Sequence, residues 1–263
     1  MKKRWYTSFQ KEVKMEKIDR RRKYVLVLDI ETANITEDAL AYDVGFAVAD
    51  KKGNIYETHS YMVAEMFLDN YNKPLMDTAY YAEKLPKYWE DYKAGKRKLA
   101  KILTVRRIVK QVMEKYHITD VFAYNANFDK TGLDRTVRYL TKSEVRFFFP
   151  YGTKIHCIWH MATQVICQQK TYFKKAIVHN WISDKGNLQT SAELVFAYIS
   201  GNPDFQEEHT GLEDVAIEVK IMAKCFAQHK KMNTNINRRC WTIPQNSFKE
   251  FAKIGWQTSK PMI

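Results

Sequence analysis

The sequence predicts an α/β protein built on a mixed sheet of about five strands flanked by helices. Three observations carry this. Tyr24–Ile30 (YVLVLDI) is an almost unbroken apolar, β-branched run, as expected of a strand buried on both faces. Two further strand-like segments, 42–50 and 55–63, flank the turn Lys51-Lys52-Gly53-Asn54, which is a hairpin signal. Long helical periodicities follow only after these three strands, which points to α+β or mixed-sheet α/β order.

Residues 64–95 are aromatic and irregular, and predict short helices in a lid-like insertion. From 97 to 116, Leu99, Ile102, Val105, Val109, Val112 and Tyr116 recur at steps of three and four. Arg97, Lys98, Lys101, Arg106, Arg107 and Lys110 occupy the other face, either tracking a phosphate backbone or simply solvated. Asp120–Tyr124 reads as a short strand, 128–140 as a helix, 153–158 as a fifth strand and 189–200 as a helix ended by Gly201-Asn202-Pro203. The last helix has a readable start: Thr210 to Glu213 fits a capping box. Leu212, Val215, Ala216, Val219, Met222, Ala223 and Phe226 form one apolar stripe, while Ile217, Ile221 and Cys225 form a second. Such a helix packs between layers, and Asp214 points to the second side.

The chain has 263 residues, 45% of them hydrophobic, with few Gly (9) and Pro (6), which excludes disordered and fibrous classes. Its four cysteines (157, 167, 225, 240) form no C-x-x-C pair, which argues against zinc knuckles and redox motifs and suits a reduced, cytoplasmic setting. No apolar run approaches the roughly 18 residues of a membrane span. The net charge of +13 is concentrated at the ends. Residues 1–23 hold ten Lys/Arg against three acids, and 224–263 hold eight against one. Basic ends suit a polyanionic partner, or serve only as solubilising tails.

Asp29 and Glu31 stand two apart at the end of the predicted central strand, hence on one face. Strand ends are where ligand crevices open in α/β sheets. Two adjacent carboxylates are tolerable with a cation between them, and oxygen ligands suit Mg²⁺ or Mn²⁺. The plain alternative is a solvated strand end. Asp129, in Asn125-Ala126-Asn127-Phe128-Asp129, lies at a strand-to-helix junction that can aim its carboxylate at the first pair. Asp also suits a first helical turn for its own sake. His209 and Asp214 form His-x₄-Asp, with His209 on the loop before the last helix, a suitable base for a water. A second such spacing, His179 and Asp184, runs into a turn with no helix behind it. His156 and His160 are four apart, but no partner pair completes a zinc site, so structural roles are expected. Tyr80, Tyr81, Tyr88, Trp89 and Tyr92 could stack on bases, although core or lid packing is the simpler expectation.

Asp29-Ile-Glu31-Thr32, then Asn125-x-x-Phe128-Asp129, then His209-x₄-Asp214, in this order, resembles the DEDDh 3′→5′ exonucleases over residues 24–228. Thr210 excludes the tyrosine-type variant, and 186–228 resembles phage or prophage members. The resemblance implies a ribonuclease-H-like mixed sheet flanked by helices. Around it lie a basic N-terminal segment (1–23), an irregular insertion (64–95) and a basic C-terminal extension (229–263). It implies two divalent cations, Mg²⁺ or Mn²⁺, held by Asp29, Glu31, Asp129 and Asp214, with His209 as general base. Thr32, Asn125 and Phe128 would contact substrate, Phe128 alternatively serving the core. The implied partners are single-stranded DNA or RNA 3′ ends and replication proteins, with no membrane and any proofreading done in trans. DNA is favoured over RNA. The rivals are an RNA-trimming exoribonuclease and a catalytically silent nucleic-acid-binding or replisome-docking module.

Overall fold

A computed structural model describes residues 18–34, 38–79 and 81–258, without the side chains of 254–258. Most of the basic N-terminal segment, Tyr80 and the last five residues lie outside the described residues.

The strands are β1 (Tyr24–Ala33), β2 (Leu40–Asp50), β3 (Ile55–Val63), β4 (Lys98–Ala100), β5 (Asp120–Ala123) and β6 (Lys154–Cys157), in the order β4-β3-β2-β1-β5-β6. β1 is central, antiparallel to β2 and parallel to β5, which explains its apolar character on both faces. This is the mixed sheet flanked by helices expected from the sequence, with one strand more. The extra strand is β4. Leu99 and its neighbours pair parallel with Tyr61–Val63, so helix α3 (Ile102–Lys115) starts later than its apolar periodicity suggests. The Glu65 carboxylate accepts the Ile102 N–H at 3.1 Å and caps that start.

The even residues of β1 (Leu26, Leu28, Ile30) face one core. It is built with α3, helix α4 (Ala126–Leu140) and the insertion, where α1 (Ala64–Leu68), two 3₁₀ turns and α2 (Leu85–Lys93) supply Phe67, Met76 and Tyr88. Val25 and Val27 face a second core against α5 (Ile158–Val165), α6 (Lys170–Val178), α7 (Ala192–Ser200) and α8 (Gly211–Phe226). Helices α5 and α6 were not read from the sequence. Helix α7 opens at Ser191, which accepts from Leu194 N, and ends where Gly201 turns left-handed at φ 70°.

The C-terminal segment is woven into this second core. Cys157 N donates to Thr234 O at 2.7 Å, and Gln245 clamps Leu188 through both its N–H and its C=O. Helix α9 (Gln245–Thr258) packs Phe248 against Phe173. All four cysteines are buried free thiols. Among the described residues no helix is long and apolar enough to cross a membrane.

Candidate metal centre

Alternation along β1 continues the Val25–Val27 face through Asp29 and Glu31, toward α8. The register slips between Glu31 and Thr32, a bulge that bends the strand just where its carboxylates end. Gly45 is the β2 partner of Asp29. A Cβ on Gly45 would collide with the backbone of Gly211 and Leu212, so α8 can begin directly against the sheet because position 45 has no side chain. The Gly211 N–H donates to Asp43 Oδ2 at 3.0 Å, which fixes the start of the helix. Asp214 then hangs from the first turn over the strand pair. Oxygens of Asp29, Glu31 and Asp214 lie within 4.8 Å of one another.

Asp129 arrives from the other side, in the first turn of α4 where β5 ends. Gly132, one turn later, lets α4 press on the Ile30 side chain. Asp129 is outside the 4.8 Å group, yet close enough that its charge raises the carboxyls of Asp29, Glu31 and Glu218.

The electrostatics follow from burial and like charge. Burial pushes Asp129 up to about 8 and, joined by Asp43 and Asp129, does the same to Glu31. Asp29 and Asp214 are raised by burial and then by neighbouring carboxylates. Among the described residues, Asp214 Oδ1 and Glu218 Oε2 are buried without a hydrogen-bond partner, as is Asp43 Oδ1. Orphaned buried carboxylate oxygens among charges of the same sign are costly. An all-oxygen donor set of this kind fits hard cations such as Mg²⁺ or Mn²⁺.

His209 lies on the loop before α8 at φ 52°, stacked face to face on Tyr81 with ring centroids 4.0 Å apart. Its Nδ1 is 3.9 Å from Glu207 Oε2, and Glu207 N donates to Glu193. Burial lowers the His209 pKa below its ordinary 6.5. Thr32 is buried at the bulge, Asn125 is exposed at the start of α4, and Phe128 is half-buried against the first core.

Two side chains, Thr210 and Arg97, depart from their sequence reading. Thr210 makes no cap bond to the α8 backbone. Its hydroxyl instead meets Glu213, which binds Arg97 at 2.8 Å. Arg97, expected on a basic face that either tracks a phosphate backbone or is simply solvated, is buried among Asp43, Asp91 and Glu213. His156 is held between Asp120 and Thr234, and His160 by the Asn235 carbonyl, so both serve packing. Of the aromatic cluster, Tyr88 is buried and Trp89 packs against the first core.

Glu218 was missed from sequence, as was Glu207, which burial pushes up to about 7. The signal for Glu218 was available: it sits four residues after Asp214, on the same helix face. Arg238 was read only as part of a basic tail, yet its guanidinium donates to Asn127 Oδ1 at 3.2 Å, beside the start of α4.

No family model and no curated protein matches the chain. Among solved structures, it is similar to Escherichia coli Exonuclease I in complex with a 5cy-dT13 oligonucleotide, with a TM-score of 0.47 and 12% identity. It is also similar to a moderately thermophilic Exonuclease I from Methylocaldum szegediense, with a TM-score of 0.44 and 14% identity. Both matches cover 84% of this chain and 42% of the other, so the chain spans less than half the length of these structures. Likeness at that level says nothing of what this chain cleaves, and it does not bear on the phage resemblance of residues 186–228.

Proposed function

We propose that this chain is a metal-dependent 3′→5′ exonuclease that hydrolyses phosphodiester bonds from the 3′ end of single-stranded nucleic acid, DNA in preference to RNA. The observation that carries this reading is the convergence of Asp29, Glu31 and Asp214 within 4.8 Å, from two distant stretches of chain, with Asp129 facing them from a third. In this reading Asp29, Glu31, Asp129 and Asp214 hold two divalent cations, Mg²⁺ or Mn²⁺. Bound there, such ions supply Lewis-acid polarisation of the phosphate and charge to match the attacking and leaving oxygens.

The protein's own groups do the rest. His209 is neutral at neutral pH because burial disfavours its charged form, so it can accept a proton from the attacking water. With Nδ1 turned toward Glu207, Nε2 is the nitrogen left for that proton. The Tyr81 ring fixes the imidazole plane, so the base need not be ordered at each turnover. In this reading Thr32, Asn125 and Phe128 serve the terminal nucleotide, while Arg238, bonded to Asn127, offers a charge for the next phosphate.

A labelled oligonucleotide with a free or blocked 3′ end, incubated with Mg²⁺ or EDTA, tests this. Stepwise shortening is expected only from a free 3′ end and only with Mg²⁺. Tight binding without shortening would establish the silent-module alternative instead. Matched DNA and RNA strands, run side by side, measure the preference. His209→Ala should lower the rate by roughly 10²–10⁴-fold, and wild-type turnover in that variant would remove His209 from the mechanism.

A further inference from the structure

We propose that Glu218 is a fifth carboxylate ligand of the cation pocket, holding an ion through Oε2 while the backbone of Tyr124 secures Oε1. The proposal rests on the metal-dependent reading above and extends its ligand set.

Glu218 follows Asp214 by one turn of α8 and is 3% exposed. Its two oxygens are treated differently by the fold. Oε1 accepts the Tyr124 N–H at 3.1 Å, at the end of β5. Oε2 is buried and has no hydrogen-bond partner among the described residues. Its charged neighbours are Asp29, Asp129, Asp214 and Glu207, all acidic. Asp43 also keeps one orphaned oxygen, Oδ1, but its Oδ2 is matched by the Arg97 cation at 3.0 Å, whereas the charges acting on Glu218 are acidic. An oxygen aimed among carboxylates and left bare is what a cation completes. The amide bond at Oε1 favours the ionised form and orients the group, the arrangement typical of ligating carboxylates. Glu218 also bridges the two sides of the pocket. It rides on the helix of Asp214, but its amide partner immediately precedes the loop that leads to Asp129.

The competing explanation is a neutral Glu218 that keeps its proton and only packs. Glu218→Gln separates the two, because Gln retains a carbonyl oxygen for the Tyr124 amide and puts an uncharged NH₂ in place of Oε2. Mn²⁺ binding without nucleic acid, followed by electron paramagnetic resonance and calorimetry, is compared for wild type, Glu218→Gln and Asp29→Asn, with circular dichroism to check folding. Glu218→Gln is expected to weaken one Mn²⁺ by about tenfold or more. Wild-type Mn²⁺ affinity in Glu218→Gln would overturn the proposal while leaving the pocket intact. If Asp29→Asn also binds Mn²⁺ like wild type, the metal pocket itself fails and the Glu218 assignment falls with it. Should Glu218→Gln not fold, Glu218→Asp keeps the charge but withdraws it by one methylene. It must likewise weaken Mn²⁺, and unaltered binding there would again overturn the assignment.

Discussion

Two buried acidic clusters meet at the first turn of α8, and consecutive residues serve them. Glu213 joins Asp43 and Asp91 around Arg97, whose guanidinium lies 2.8–3.3 Å from all three. Asp214 joins Asp29 and Glu31, with Asp129 and Glu218 beside them. Burial raises carboxyls in both, including Asp43 despite the pull of Arg97. What differs is the counter-charge. The first cluster is closed by a cation from the protein itself, with Tyr88 donating to Asp43 and Ser60 accepting from Arg97. Among the described residues both clusters keep orphaned oxygens, Asp43 Oδ1 in the first and Asp214 Oδ1 and Glu218 Oε2 in the second, but the charges acting on Asp214 and Glu218 are acidic. Burial and perturbed acidity are therefore common to both clusters, and the charge that faces the carboxylates is what distinguishes them.

The comparison breaks most sharply if single charges are removed from each cluster. Asp29→Asn or Asp214→Asn should lower turnover by roughly 10³-fold or more, the equivalent of several kcal/mol of lost stabilisation. The same change should raise the stability of the metal-free fold by on the order of 1 kcal/mol, because it relieves like-charge crowding. Oligonucleotide shortening and urea unfolding measure the two effects, and a large loss of stability would show the second cluster to be structural after all. Arg97→Met should do the opposite. Asp43 and Glu213 lose their cation and Asp91 keeps only Lys96, and folding stability should fall by about 3–5 kcal/mol, read from the urea midpoint; an unchanged midpoint would break the contrast from the other side.

Mg²⁺ sharpens it further. At about a hundred times its dissociation constant it should stabilise the wild type by about 2.7 kcal/mol. EDTA should remove that gain, and Asp29→Asn should not show it. The smallest effect concerns Glu57, a partly exposed carboxylate whose cation, Lys115, also comes from the protein. The His59 bond, then Lys115 and Tyr116, hold its pKa down to about 2. Since the folded value lies below the ordinary 4.5, its stabilisation is full above that pH and is lost as pH falls toward 2. Glu57→Gln should flatten that acid slope and cost about 1 kcal/mol at neutral pH, measured by thermal unfolding across pH.

Much of this was legible in the chain because it depends on local pattern. The apolar run of β1, the hairpin at Gly53 and the two stripes of α8 are each written in a few consecutive residues, and the structure follows them closely. Asp29, Glu31 and Asp214 could be nominated because strand alternation and helix spacing fix where they point. The rest depends on distant partners. Lys98–Ala100 has a helical pattern but pairs as a strand because β3 offers an open edge. Arg97 is one of several basic residues in sequence, and only the fold gathers residues 43, 91 and 213 around it. The C-terminal segment looks like an appended basic tail until Thr234, Asn235 and Gln245 are seen bonding to α5 and its neighbours. Helix α5 was missed for a different reason: it is mostly buried, so no polar face marks its period, while α6 buries only Tyr172, Phe173 and Ala176 and is too short at nine residues for a period to stand out.

The contact between Gly45 and Gly211 has a mechanical consequence. With no side chain on either residue, strand and helix meet backbone to backbone, and the contact acts as a pivot. Asp214 lies one turn from it and Glu218 two, on the same rigid rod. A single methyl group added at 45 would tilt that rod and shift both carboxylates together, by more at the far one. Alanine at this position therefore amounts to a graded displacement of two of the five carboxylates, accomplished without touching any acid.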